Sequence, residues 1–212
     1  MGLPVLLVGK SGSGKSASLR NFKENIGVLN VLGKPLPFKG GEKLPGEVTD
    51  DYNRIKELLY KSKAASVVID DAGYLMTNAF MRGHAQTGAG NAIFSFYNDL
   101  GDQFWGLIRF VVDQLPAEKI VYFIMHEDKN DFGDVKPKTI GKMLDEKVCV
   151  EGMFTIVLRS VFSEGKYKFK TQSDGFDIAK SPMGMFEPEI ENDLKMVDDT
   201  IRKYYNFGGK VA

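Results

Sequence analysis

A chain of 212 residues, 43% hydrophobic and 26% charged, holds enough apolar material for one α/β domain with a buried core. Its 28 basic and 28 acidic residues cancel to a net charge of zero, which excludes a global basic field and confines any nucleic-acid surface to a local patch. The single cysteine, Cys149, excludes an intramolecular disulfide and is expected as a core thiol in a reducing cytoplasm, and no run approaches the roughly 18 apolar residues of a membrane span.

The first element is the apolar run Val5-Leu6-Leu7-Val8, a buried strand. It leads directly into Gly9-Lys10-Ser11-Gly12-Ser13-Gly14-Lys15-Ser16, which fits G-x-x-x-x-G-K-[ST] at every fixed position. With a strand this close to Met1, neither a signal peptide nor a preceding domain is expected, and Leu6 stands where a myristoylation motif needs Ser or Thr. A helix is expected over Ser16 to Glu24, then a short strand over Gly27 to Leu32 and a Pro/Gly-rich loop over Gly33 to Gly46. Asp50 to Ser62 has helical spacing in Tyr52, Ile55, Leu58 and Leu59, with Thr49 or Asp50 as N-cap. Ser66 to Asp71 reads as a buried strand ending in two acids.

Thr77 to Asn91 carries three glycines, one arginine and one histidine without a helical stripe, so it reads as a loop with an exposed Phe80. Ala92 to Leu115 is a long aromatic-rich helix, with Gly101 as the place for a break. Lys119 to Met125 and Met153 to Ser160 are further buried strands. Tyr167 to Gln172 and Phe176 to Ala179 read as a late β-hairpin turned at Ser173-Asp174-Gly175, followed by a Pro/Gly turn at Lys180 to Gly184. Pro188 to Tyr205 closes the chain as a helix, so residues 187–212 form a C-terminal helix and tail on a single domain spanning 1–212. Strands alternating with helices, and strands apolar throughout, predict a mostly parallel sheet with helices on both faces.

The strand–glycine loop–helix order predicts a phosphate cradle built from Gly9, Lys10, Ser11, Gly12, Ser13, Gly14, Lys15, Ser16 and Ala17. In that cradle Lys15 meets the β- and γ-phosphates of a nucleotide and the Ser16 hydroxyl meets Mg²⁺. Asp70, at the C-terminal end of its strand, is expected to hold the metal's water shell opposite Ser16. Asp71 either polarises the attacking water or caps the helix that follows. His126 either faces the terminal phosphate as a sensor or is a loop histidine with solvent partners. Glu127, Asp128 and Asp131 read as a solvated charge run. Phe80 and Arg82, with His84 beside them, supply the stacking and phosphate contacts of a single-stranded nucleic-acid site, or else belong to a flexible lid. Lys180 has no acid within two positions; it is either a surface lysine or free to pair with an anion elsewhere.

The glycine loop, the Asn30 to Phe38 stretch, Val67 to Asp71, His126-Glu127 and the Ala179 to Gly184 turn together resemble, in that order, the small phage-encoded P-loop ATPases of the RecA-like class. This is the group that contains the Sak-type single-strand annealing and recombination proteins, and the likeness runs from about Leu3 to Phe186. It implies a RecA-like P-loop NTPase core, ATP and Mg²⁺, a homo-oligomer on single-stranded DNA, and a part in phage recombination or replication in the host cytoplasm. It also implies that Lys180 reaches the nucleotide of a neighbouring subunit. RecA-like enzymes usually place a catalytic Glu at the end of the strand after the P-loop helix, whereas Asn30 to Gly33 contains no acid, so either Asp71 is the base or hydrolysis is slow. An AAA-type loader, which should add a C-terminal helical lid, and a nucleotide-binding protein with little hydrolysis are the alternatives. A small-molecule kinase fits less well, because the arginines at 20, 54, 82, 109, 159 and 202 are scattered rather than gathered in a lid.

Overall fold

The computed structural model describes residues 1–88, 90–130, 132–140, 144 and 147–208. Its strands are β1 (Leu3–Gly9), β2 (Ile26–Asn30), β3 (Gly46–Val48), β4 (Ser66–Asp70), β5 (Ile120–Lys129), β6 (Val135–Pro137), β7 (Ile156–Ser163), β8 (Lys166–Lys170) and β9 (Glu189–Glu191). Its α-helices are α1 (Tyr52–Lys61), α2 (Tyr74–Gly83), α3 (Asn91–Gln114) and α4 (Leu194–Tyr204). The strands lie in the order β3-β2-β4-β5-β1-β7-β8-β9, with β6 paired to the far end of β5. From β3 to β7 every neighbouring pair is parallel, and β8 and β9 add antiparallel strands at one edge. The architecture is therefore α/β with a mostly parallel, mixed sheet.

The central strands are apolar throughout because both faces are covered. Leu6, Val8, Val67, Ile69, Val121 and Phe123 pack under α1, α2 and α3 through Ile55, Leu59, Leu75, Phe104, Leu107 and Val111. The alternate residues Val5, Leu7, Val68, Tyr122 and Ile124 pack under Leu19, Phe22 and the α4 residues Leu194, Val197 and Ile201. No described helix is long and apolar enough to cross a membrane.

One polar cluster interrupts this second layer and fixes α4 to the sheet. Asp198 is buried and accepts hydrogen bonds from the Tyr122 hydroxyl (2.9 Å), from the Ser66 hydroxyl and from Arg202 Nε (2.8 Å). Arg202 also donates to the Ala65 carbonyl at 2.9 Å and to Ser66 Oγ at 2.7 Å. Burial, reinforced by Asp198, pushes the Tyr122 hydroxyl well above its ordinary pKa, so it stays a donor. Asp198→Ala leaves Arg202 and two hydroxyls without their shared acceptor, and should cost about 3 kcal/mol of folding stability by urea denaturation. A loss within the scatter of ordinary surface substitutions would show the cluster to be incidental.

Several expected elements differ in the structure. The segment after the glycine loop is a 3₁₀-helix, Ser16–Asn21, shortened where the Ser18 hydroxyl bonds back to the Lys15 carbonyl at 2.5 Å. The N-cap of α1 is Asp51, whose carboxylate accepts from Arg54 N at 2.7 Å, rather than Thr49 or Asp50. Much of the expected 77–91 loop is helix α2, and α3 runs unbroken through Gly101. The hairpin is β7–β8, turned at Glu164-Gly165, while Phe176 to Ala179 forms no strand. The final helix begins only at Leu194, capped by Asp193 and preceded by β9. Cys149 is exposed rather than a core thiol.

Candidate functional site

Because β1, β4 and β5 are parallel, their C-terminal ends meet at one edge of the sheet, where open α/β folds bind ligands. Gly9 stands beside His126 on one side and Ser160 on the other, and Asp70 stands beside Asn30. The neighbour of the two-acid strand is thus β5, and it carries His126 to the same edge as the glycine loop.

The loop is held by its surroundings. A Cβ on Gly9 would lie 2.5 Å from Ser13 Oγ and 2.6 Å from the Ser160 carbonyl, and one on Gly14 would lie 2.8 Å from the Tyr167 ring. Gly14 also has φ +93°, a left-handed conformation that a side chain strains. Ser160 Oγ donates to the Ser13 carbonyl at 2.6 Å, Asn192 Nδ2 donates to Ser160 Oγ at 3.1 Å, and Arg20 donates to the Asn192 carbonyl at 2.6 Å. The β7–β8 hairpin and the approach to α4 therefore brace the loop from behind.

Lys15 and Ser16 project from this support. Lys15 Nζ donates to the Gly9 and Lys10 carbonyls, each at 2.8 Å, so its ammonium is folded across its own loop. Burial pushes that ammonium down to about 8, against the opposing pull of the Asp71, Asp70 and Glu127 carboxylates. Ser16 Oγ donates to Asp70 Oδ1 at 2.7 Å, joining two residues that the sequence separates by 54 positions. Burial raises the Asp70 carboxyl above its ordinary value although the Ser16 bond lowers it.

Asp71 takes φ +61°, which is uncommon for a residue with a side chain. Its carboxylate does not cap α2, whose N-cap is Gly73. It meets Lys34 Nζ at 2.5 Å and His126 Nε2 at 3.5 Å. Burial works to raise the Asp71 carboxyl, but the His126 and Lys34 contacts outweigh it and hold the group below its ordinary value. His126 is thus a half-buried strand residue against Asp71 and the Tyr74 ring, not a loop histidine in solvent.

Lys34 is the site residue that sequence reasoning missed. Asn30 Oδ1 accepts from Gly33 N at 2.8 Å and Asn30 Nδ2 donates to the Lys34 carbonyl at 2.6 Å, which fixes the turn that presents the lysine. An Asn three residues before a Gly, just past a strand, was the available signal. Glu127 also departs from expectation: its side chain is 3% exposed and forms a two-pronged pair with Arg159 at 2.8 and 2.9 Å, and Arg159 also reaches Asp177 at 2.9 Å. It is neither a solvated charge nor a free base. Asp131 lies outside the described residues.

Phe80 and Arg82 lie on α2, and His84 is its C-cap. Phe80 is half-buried rather than exposed, its ring centroid 4.9 Å from His84 and 5.6 Å from Tyr97, and Arg82 pairs with Asp50 at 2.6 Å. Lys180 is paired through its backbone to Val157, three residues before the Ser160 that flanks Gly9, so it sits part-way down the sheet from its own loop.

The residues present fit a nucleotide's phosphates. Ser13 Oγ is buried with no hydrogen-bond partner, Lys15 is bound only by carbonyls of its own loop, and the glycines exclude side chains from the cradle. A cavity of about 500 Å³ is lined by Ser11, Lys34, Tyr74, His126 and Lys138 among others. Among the described residues no group of three or more His, Cys, Asp or Glu is spaced to hold a metal by itself. Mg²⁺ asks less than that of a protein, since it takes one or two carboxylates and completes its shell with phosphate oxygens and water. No family model matches the chain, and no curated protein matches it.

Proposed function

We propose that this chain is a Mg²⁺-dependent P-loop ATPase with a RecA-like core, working as a homo-oligomer on single-stranded DNA in phage recombination or replication. The observation that carries the nucleotide reading is the Ser16–Asp70 contact, made at the foot of a complete glycine loop and at the C-terminal edge of the parallel sheet. Two residues with no local reason to meet are held where a hydroxyl and a carboxylate jointly serve a Mg²⁺ bound to phosphates.

In this reading the backbone N–H groups of Gly9 to Ala17 and the Lys15 ammonium hold the phosphates, and Ser16 and Asp70 hold the metal. The metal supplies neutralisation of phosphate charge. Asp71, ionised at neutral pH, accepts a hydrogen bond from the attacking water and orients it, with His126 against the same carboxylate. Phosphoryl transfer is dominated by positioning and electrostatics, so a carboxylate with a low pKa suffices for this role. Lys180 is assigned to the neighbouring subunit's nucleotide, and its place part-way down the sheet from its own loop is compatible with a role in trans. Phe80, Arg82 and His84 are assigned to single-stranded DNA. An AAA-type loader is disfavoured because β9 and α4 pack onto the sheet rather than forming a helical lid. A nucleotide-binding protein with slow hydrolysis is the second reading, and the Lys34 ammonium seated on Asp71 favours it.

ATP hydrolysis measured with and without single-stranded DNA, alongside mass in solution, tests the proposal. A DNA-stimulated rate from an assembled oligomer is expected. An unstimulated rate from a monomer would remove the recombination assignment and leave the nucleotide site standing.

A further inference from the structure

We propose that Lys34 discriminates nucleoside triphosphate from diphosphate: it leaves Asp71 for the terminal phosphate of a triphosphate and stays on Asp71 when only a diphosphate is bound. The inference rests on the P-loop reading above and assigns a second cation to the same site.

Lys34 comes from the turn after β2, so it approaches Asp71 from the opposite side to the glycine loop. Lys34 and Ser11 of the loop line one cavity, together with Tyr74, His126 and Glu127. The Lys34 charge adds slightly to the burial that lowers the Lys15 ammonium. Its side chain is 58% exposed while its partner Asp71 is 7% exposed, so the lysine is the member of the pair able to turn. The Asn30 bonds to Gly33 and Lys34 fix the backbone and leave the long side chain as the moving part.

Charge makes the exchange necessary. Asp70 and Asp71 are adjacent carboxylates at the phosphate end of the sheet, and a terminal phosphate arriving there adds further negative charge. Asp70 accepts a hydrogen bond from Ser16 and would hold the metal. Lys34 is bound to a carboxylate at this edge, that of Asp71. On leaving Asp71, Lys34 forms a charge-assisted hydrogen bond to the phosphate, while His126 stays against the Asp71 carboxylate. A diphosphate ends at the loop and offers Lys34 no new partner.

The test is calorimetric titration of the full chain with the non-hydrolysable imido analogue of ATP and with ADP, each with Mg²⁺. The parent should prefer the analogue. Lys34→Ala should lose about tenfold or more of its affinity for the analogue, one charge-assisted contact, while ADP affinity stays at the parental value. Lys34→Arg should keep most of the preference. Asp71→Asn, which releases Lys34 from its resident partner, should keep it, and this variant guards against Lys34→Ala failing to fold. Equal losses for both nucleotides in Lys34→Ala, no loss for either, or a preference abolished by Asp71→Asn would overturn the assignment and leave Lys34 as a structural partner of Asp71. Binding of neither nucleotide by the parent would instead overturn the P-loop reading itself.

Discussion

Asp71→Asn is expected to bind ATP with the parental affinity and to turn it over about 10²-fold or more slowly, as measured by phosphate release under saturating ATP. The substitution keeps the shape and one hydrogen-bonding oxygen but removes the charge that orients water. Asp71 is suited to the test because its carboxylate has no capping duty: its partners are Lys34 and His126, and α2 starts without it. The pH range is set by those partners. Asp71 is held below its ordinary value of 3.8, so its stabilising contribution is complete above that value and is lost only as pH falls through the lower folded value. The Asp71 hydrogen bond raises Lys34 above 10.5, so the contribution of the lysine persists through neutral pH and is lost as pH rises through the higher value. A parental rate in Asp71→Asn would exclude Asp71 from the chemistry. Glu127 is a poor substitute, because Arg159 holds both of its oxygens.

The parts of the fold that were readable in the sequence are those in which one segment states its own structure. Val5 to Val8, Val67 to Ile69 and Ile120 to Met125 are apolar on both faces, and each ends in the polar residues that form the edge of the site. Helix α2 was hidden because only Leu75 and Met76 of its ten residues are buried, too few for a stripe. Gly83 looked like loop flexibility but is a close-packing residue, since a Cβ there would lie 2.5 Å from the Phe96 ring. The hairpin turn is hidden in the sequence for a related reason. Glu164 and Gly165, with φ +52° and +74°, make the β7–β8 turn, and Glu carries no turn signal. Ser173-Asp174-Gly175 does make a tight turn, with Asp174 Oδ1 accepting from Phe176 N at 3.1 Å, but the chain beyond it pairs with β7 at Val157. The Lys34–Asp71 and Glu127–Arg159–Asp177 contacts depend on the strand order, which no local pattern encodes.

Lys15→Ala should fold as the parent does and lose nucleotide binding by roughly 1.5–3 kcal/mol, about one to two orders of magnitude in Kd. The two expectations come from the same geometry. Burial depresses the Lys15 ammonium toward 8, so its charge costs the nucleotide-free protein stability rather than supplying it. Its hydrogen bonds go only to the Gly9 and Lys10 carbonyls of its own loop, so no other element depends on it. Phosphates, by contrast, lose the fixed cation at the centre of their cradle. The most direct test of the nucleotide site is therefore calorimetric titration of parent and Lys15→Ala proteins with ATP and Mg²⁺, with circular dichroism confirming that both are folded. Saturable binding by the parent is expected, weakened when Mg²⁺ is chelated and reduced at least about tenfold in the variant. Equal affinity in a folded Lys15→Ala protein, or no binding by the parent, would contradict it.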